Sequence, residues 1–135
     1  MFDTKIAIVV RDDLLVWQKL NVTAFLVSGV LGADADLLGE DYEDASGVTY
    51  NPLIVQPMIV LTTDGAGLTA IHRRAIERGV ETAIYIEDMF STGHDAANRA
   101  AVRKYPTEAL NLVGLALRDD KKTVDKITKG AKMHP

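Results

Sequence analysis

The chain has 135 residues, 47% hydrophobic and 25% charged, a length and mixture that predict one globular domain spanning residues 1–135. The absence of cysteine excludes disulfides, zinc–thiolate and iron–sulfur sites and a thiol nucleophile, and fits a cytoplasmic protein. The net charge of −4 is concentrated in residues 1–67, with three basic and ten acidic side chains, and this disfavours a nucleic-acid partner because phosphate affinity comes from Lys and Arg.

The start, MFDTKIAIVV, lacks the basic stretch and small-residue cleavage site of a leader and reads as the first strand. Residues 5–10, KIAIVV, form a continuous apolar run, the pattern of a strand buried on both faces. VWQKLNVTAFLVSGVLG is too long and too little alternating for a strand. It predicts a helix stopped by Gly32 and largely buried, in the core or against a second subunit. No window reaches the roughly 18 consecutive apolar residues of a membrane span.

Residues 33–52 hold six acids and no base and read as a solvated loop with one short strand at Gly47–Tyr50. The spacing lacks the alternating ligands of a calcium loop. QPMIVLTT then gives a strand over 57–62 and LTAIHRRAIERG an amphipathic helix. Leu68, Ile71, Ala75 and Ile76 line its inner face, with Arg73, Arg74, Glu77 and Arg78 outside. TAIYI, 82–86, is a third strand, so 57–86 makes a βαβ crossover joining two parallel strands. HDAANRAAVRKY predicts a short helix before Pro106 and LNLVGLALR, 110–118, a further buried strand. Asp119 or Asp120 caps a last helix through about Lys132, with Val124, Ile127 and Ala131 inward. The fold class expected is three-layer α/β/α with a mixed, largely parallel sheet of about four strands.

The densest chemistry lies in IYIEDMFSTGHD, residues 84–95. Asp88 follows the carboxyl end of a buried strand, the edge where open α/β sheets bind ligands. Arg11, Asp12 and Asp13 hold the same place after the first strand, so the two segments are expected to meet on one rim. Asp88 suits a general base or water-orienting carboxylate, with the Thr92 hydroxyl four residues on; the plain alternative is a turn or helix cap. The three histidines lie in no HxH, HExxH or facial-triad spacing, so no metal is expected, and GAG at 65–67 reads as a turn opening a helix rather than a dinucleotide fingerprint. No cofactor is expected.

In order along the chain, KIAIVVRDDL, the helix containing VTA, QPMIVL, the strand ending in IED with Thr92, and LNLVGLAL with VDKITKGAKM resemble the type II peptidyl-tRNA hydrolases. RDDLLVWQKLNVTAFLVSG is closer still to small bacterial proteins of unknown function thought to share that fold. The resemblance implies a peptidyl-tRNA hydrolase II-like fold and a homodimer, here through the apolar first helix. It places Asp88, Thr92 and Lys19 as catalytic residues and Arg11, Asp12, Asn21 and Phe90 around the substrate. Phe25 stands where the family has glutamine, Asn21 where it has lysine, and Met89–Phe90–Ser91 where it has Ala-Gly-basic. An added segment, roughly 94–107, is placed to cover the site. The acidic rim suits a small molecule, bound or hydrolysed, rather than polyanionic peptidyl-tRNA. The alternatives are peptidyl-tRNA hydrolysis and a non-catalytic dimeric binding module.

Overall fold

The structure is a computed structural model that describes residues 2–135. KIAIVV lies within β1 (Thr4–Arg11), the middle strand of a five-stranded sheet. Ile6 to Val10 are all fully buried, and alternation sends them to opposite faces: Ile6, Ile8 and Val10 enter one core, Ala7 and Val9 another. Two buried faces explain why the run shows no polar alternation.

The first core is closed by α1 (Val16–Ala33) through Val22, Leu26 and Val30. Two glycines let it sit close to the sheet. A Cβ at Gly114 would stand 2.6 Å from Val22 Cγ1, and one at Gly29 would stand 2.6 Å from Ala83 Cβ. Of the two kinds of cover expected for this helix, the core supplies only part: within this chain Trp17 is 57%, Leu20 68% and Phe25 54% exposed. One face of α1 meets the sheet; Trp17 and Phe25 touch Phe90 and Tyr85 in part, and Val16 and Leu20 stand in water at 75% and 68% exposure.

After α1 come β2 (Tyr42–Glu43) and β3 (Thr49–Tyr50), which pair with each other as an antiparallel hairpin. The short strand expected near Tyr50 is present; the acidic segment expected as loop supplies its partner. Then follow β4 (Met58–Thr63), α2 (Gly65–Glu77), β5 (Ala83–Ile86), α3 (Asp95–Arg103), β6 (Leu112–Asp120), α4 (Lys121–Ile127) and β7 (Lys132–Met133). Leu68, Ile71 and Ala75 of α2, Ala101 of α3, and Val124 and Ile127 of α4 fill the second core.

The sheet order is β5-β6-β1-β4-β7. Only β1 and β4 pair in parallel; the other three neighbouring pairs are antiparallel. The sheet is therefore mixed, with five strands, and the expectation of a largely parallel sheet of about four is corrected. β4 and β5 do run in one direction, but β6 and β1 lie between them. A fully buried apolar run carries no mark of its neighbours' direction, so the sequence could not separate these arrangements.

Smaller corrections have local causes. The last helix stops at Ile127, because Gly130 at φ +97° turns the chain back so that β7 pairs with β4. Ile76 is exposed, whereas Arg74 turns inward, donating to the carbonyls of Ile127 and Lys129 at 2.9 Å each and closing the end of α4. No helix among the described residues is long and apolar enough to cross a membrane.

Candidate functional site

β1 and β5 run the same way, so RDD and IED emerge on one edge of the sheet, as expected. Arg11 joins them. Its Nε donates to Asp13 Oδ1 at 2.5 Å, and its Nη1 donates to Asn111 Oδ1 at 3.2 Å and lies 3.5 Å from Glu87 Oε2. Asn111 Nδ2 in turn donates to Glu87 Oε2 at 2.6 Å. Asp12 is exposed and joins the rim through its backbone, its N–H donating to Thr63 O at 2.9 Å.

Beyond Ile86 the chain winds into a 3₁₀ turn, Glu87–Ser91, that carries Asp88. Asp88 does not cap this turn; its Oδ2 accepts a hydrogen bond from Tyr105 Oη at 2.6 Å. The carboxylate holds the Tyr105 proton, first by that bond and then by its charge, and raises the phenol above its ordinary value. Thr92 Oγ1 donates to Met89 O at 2.9 Å and also meets the side-chain amide of Asn98. A hydroxyl has one proton to give, so Met89 O and Asn98 Oδ1 compete for it as acceptors.

Asp88 and Thr92 line one open cavity of about 660 Å³, with Glu87, Lys104, Asn111 and the small side chains of α3. The 94–107 segment packs beside the expected site: α3 forms one wall, and Lys104 and Tyr105 follow it. His94 opens that segment by capping α3, Nδ1 accepting from Ala97 N at 3.2 Å. Among the described residues no three His, Asp or Glu side chains gather as a metal site.

Asn21 and Phe90 lie in a different place. Together with Trp17, Phe25 and Tyr85 they line an aromatic groove of about 330 Å³ on the α1 side. Trp17 meets Phe90 edge-on with centroids 5.8 Å apart, Phe90 and Tyr85 lie 5.3 Å apart, and Asn21 Nδ2 donates to Tyr85 Oη at 3.4 Å. Trp17, Asn21 and Phe25 follow each other at four-residue spacing and so share one helix face. Lys19, half-buried, is two residues from Asn21 and therefore roughly 200° around the helix from that face. The structure brings Asp88 and Thr92 together and assigns Asn21 and Phe90 to the groove. The lysine lining the Asp88 cavity is Lys104, not Lys19. Thr92 borders both hollows.

Tyr105, Lys104, Asn98 and Asn111 were not found from the sequence. Asn111 had a usable signal, since it directly precedes the strand that pairs with β5, and its carbonyl accepts from Glu87 N. Tyr105 had none, because only the docking of α3 brings it to Asp88.

The family described as "Protein of unknown function (DUF2000)" matches residues 4–135. A solved structure of a protein of unknown function, Atu0240 from Agrobacterium tumefaciens strain C58, is 56% identical. The two superpose with a TM-score of 0.98 over 100% of each chain. No match was found among curated proteins.

Proposed function

The chain belongs to the DUF2000 family, of unknown function, and from that premise we propose a three-layer, peptidyl-tRNA hydrolase II-like protein that binds or hydrolyses a small molecule at the Asp88 cavity. One observation carries this reading: a half-buried carboxylate, fixed by Tyr105 at 2.6 Å, faces an open cavity shared with a hydroxyl, a lysine and an amide. Asp88 acts as the base or water-orienting group. Tyr105 fixes its orientation, and Lys104 is placed to stabilise developing negative charge. Three acids on the same edge, Asp12, Asp13 and Glu87, disfavour a polyanion such as peptidyl-tRNA.

Neutral p-nitrophenyl esters are a direct probe. Wild-type protein is expected to accelerate their hydrolysis, and Asp88→Asn to return the rate to that of buffer at unchanged melting temperature. Equal rates for the two proteins remove Asp88 from any catalytic role. Peptidyl-tRNA offered to micromolar wild-type protein is expected to stay intact.

A second reading, a dimeric module, is favoured by α1. Trp17, Leu20 and Phe25 leave more than half of their surface in water on a helix whose one charged residue is Lys19. We propose that a second copy covers them; Leu20→Glu is expected to give a folded monomer.

A further inference from the structure

The acidic hairpin is an anchored arm. Arg118, on β6, donates from Nε to Gln56 Oε1 at 3.1 Å and from Nη1 to Asp34 Oδ2 at 3.3 Å. One guanidinium therefore clamps both ends of the segment between Asp34 and Gln56. Gln56 is only 4% exposed, and its Nε2 donates to Thr4 O of β1 at 2.8 Å, fixing the root to the centre of the sheet.

Between these anchors the chain builds a hairpin of its own. Val55 N donates to Leu37 O at 2.8 Å and Gly39 N to Leu53 O at 3.0 Å, Tyr42 pairs with Tyr50, and Asp44 organises the tip. The Asp44 carboxylate accepts from Ser46 N, Val48 N and Tyr50 Oη at 2.9, 3.0 and 2.8 Å. Among the described residues the hydrogen bonds of 39–53 all close within the arm. At a strand rise of about 3.3 Å per residue, the arm extends roughly 25 Å from its root. Every residue from 40 to 51 is exposed, and Tyr42, Val48, Tyr50 and Leu53 each keep more than half of their surface in water. A lone two-stranded hairpin is marginal in water, and an ordered one with large apolar side chains on it is fitted for a surface.

The arm's charges say which surface. Glu40, Asp41, Glu43 and Asp44 lie on it, with no base between residues 35 and 57. A complementary groove of about 410 Å³ lies between α1, β5 and α3. Phe25, Tyr85, Met89 and Val102 give it an apolar lining, and Arg99 and Arg103 border it. Asp95 borders it as well, paired with Arg99, which leaves the groove one positive charge in excess. Phe25 belongs also to the uncovered surface of α1, so the groove continues the face assigned above to a second copy.

We propose that the arm of one copy seats in the α1–β5–α3 groove of a second copy. Tyr42 and Tyr50, paired across the hairpin on one of its faces, lie on the apolar lining, and Glu40, two residues before Tyr42, meets Arg103, the arginine not paired with Asp95. The contact is made twice about a two-fold axis, since each chain carries both arm and groove. The proposal rests on the dimer reading for the presence of a second copy and adds the segment that reaches across.

Charge exchange, read by analytical ultracentrifugation, tests it. Glu40→Lys, and separately Arg103→Glu, are each expected to weaken dimerisation severalfold with the chain still folded. Both changes in one chain are expected to restore it. A wild-type protein that stays monomeric overturns both the dimer reading and the arm. A dimer indifferent to either change overturns the arm alone and leaves the α1 interface standing. Weakening by both changes without recovery in the double variant shows that arm and groove do not meet, and overturns their pairing.

Discussion

α1 and α2 cover opposite faces of the same sheet and obey different rules. α2 points Leu68, Ile71 and Ala75 at the core and carries Arg73, Glu77 and Arg78 in water, so its polar face states that nothing further is needed. α1 buries a similar row, Val22, Leu26 and Val30, yet shows Trp17, Leu20, Ala24 and Phe25 outward. The difference teaches that apolar content alone does not place a helix inside. The sparse polar face of α1 is itself the information, and it is what supports the proposed second copy.

The largest test of this contrast removes packing on the α2 side. Leu68 is fully buried, and Leu68→Ala is expected to cost about 2–5 kcal/mol in urea unfolding. On the α1 side the sharper probe adds volume. At Gly114 a Cβ would also meet Leu26 Cδ1 at 2.9 Å and Val9 O at 3.3 Å, so Gly114→Val is expected to lift α1 and cost about 1–3 kcal/mol. If Gly114→Val is tolerated within about 0.5 kcal/mol, the close seating of α1 is not what holds it.

The helix starts differ in the same sense, with a smaller effect. Asp64 caps α2, Oδ1 accepting from Gly67 N at 2.7 Å, and Asp64→Ala is expected to cost about 1 kcal/mol. α1 begins at Leu15, whose side chain cannot cap. Gln18 accepts from Leu15 N at 3.0 Å instead, half of a capping box, and Gln18→Ala is expected to cost only a few tenths of a kcal/mol by thermal unfolding.

How much of this was legible follows from what each residue depends on. β1, β4, β5 and β6 were readable because each is an apolar run of strand length bounded by charge or turn residues, and α2 because its period is helical. The pairing directions were not, since a run buried on both faces looks alike beside parallel and antiparallel neighbours. β7 is two residues long and exists only because Gly130 reverses the chain. In the acidic arm the sequence shows one short strand near Tyr50 but not its partner, because the two are held by Asp44 and by each other rather than by an apolar pattern. At the candidate site, Asp88 and Thr92 were found from strand-end position and local spacing. Tyr105 and Lys104 arrive through the docking of α3, a tertiary event that no local spacing records. Lys19 shows the reverse error: near the site in sequence, it is turned to another side of the helix.

The smallest difference between the two helices is one of pH. His72 lies half-buried on α2, and burial holds its imidazole below the ordinary value by penalising the charged form. The folded state therefore binds its proton less readily than the unfolded chain. The stability that comes from keeping His72 neutral is fully present above the unfolded value near 6.5 and is lost as pH falls through the folded one. α1 carries no histidine. His72→Gln is accordingly expected to reduce the fall in stability between about pH 7 and pH 5 relative to wild type. Urea unfolding of both proteins at each pH measures it, the other titrating groups cancelling in the difference. Parallel stability profiles for wild type and variant would show that burial does not oppose protonation of His72, and that its ring is solvated in the folded protein.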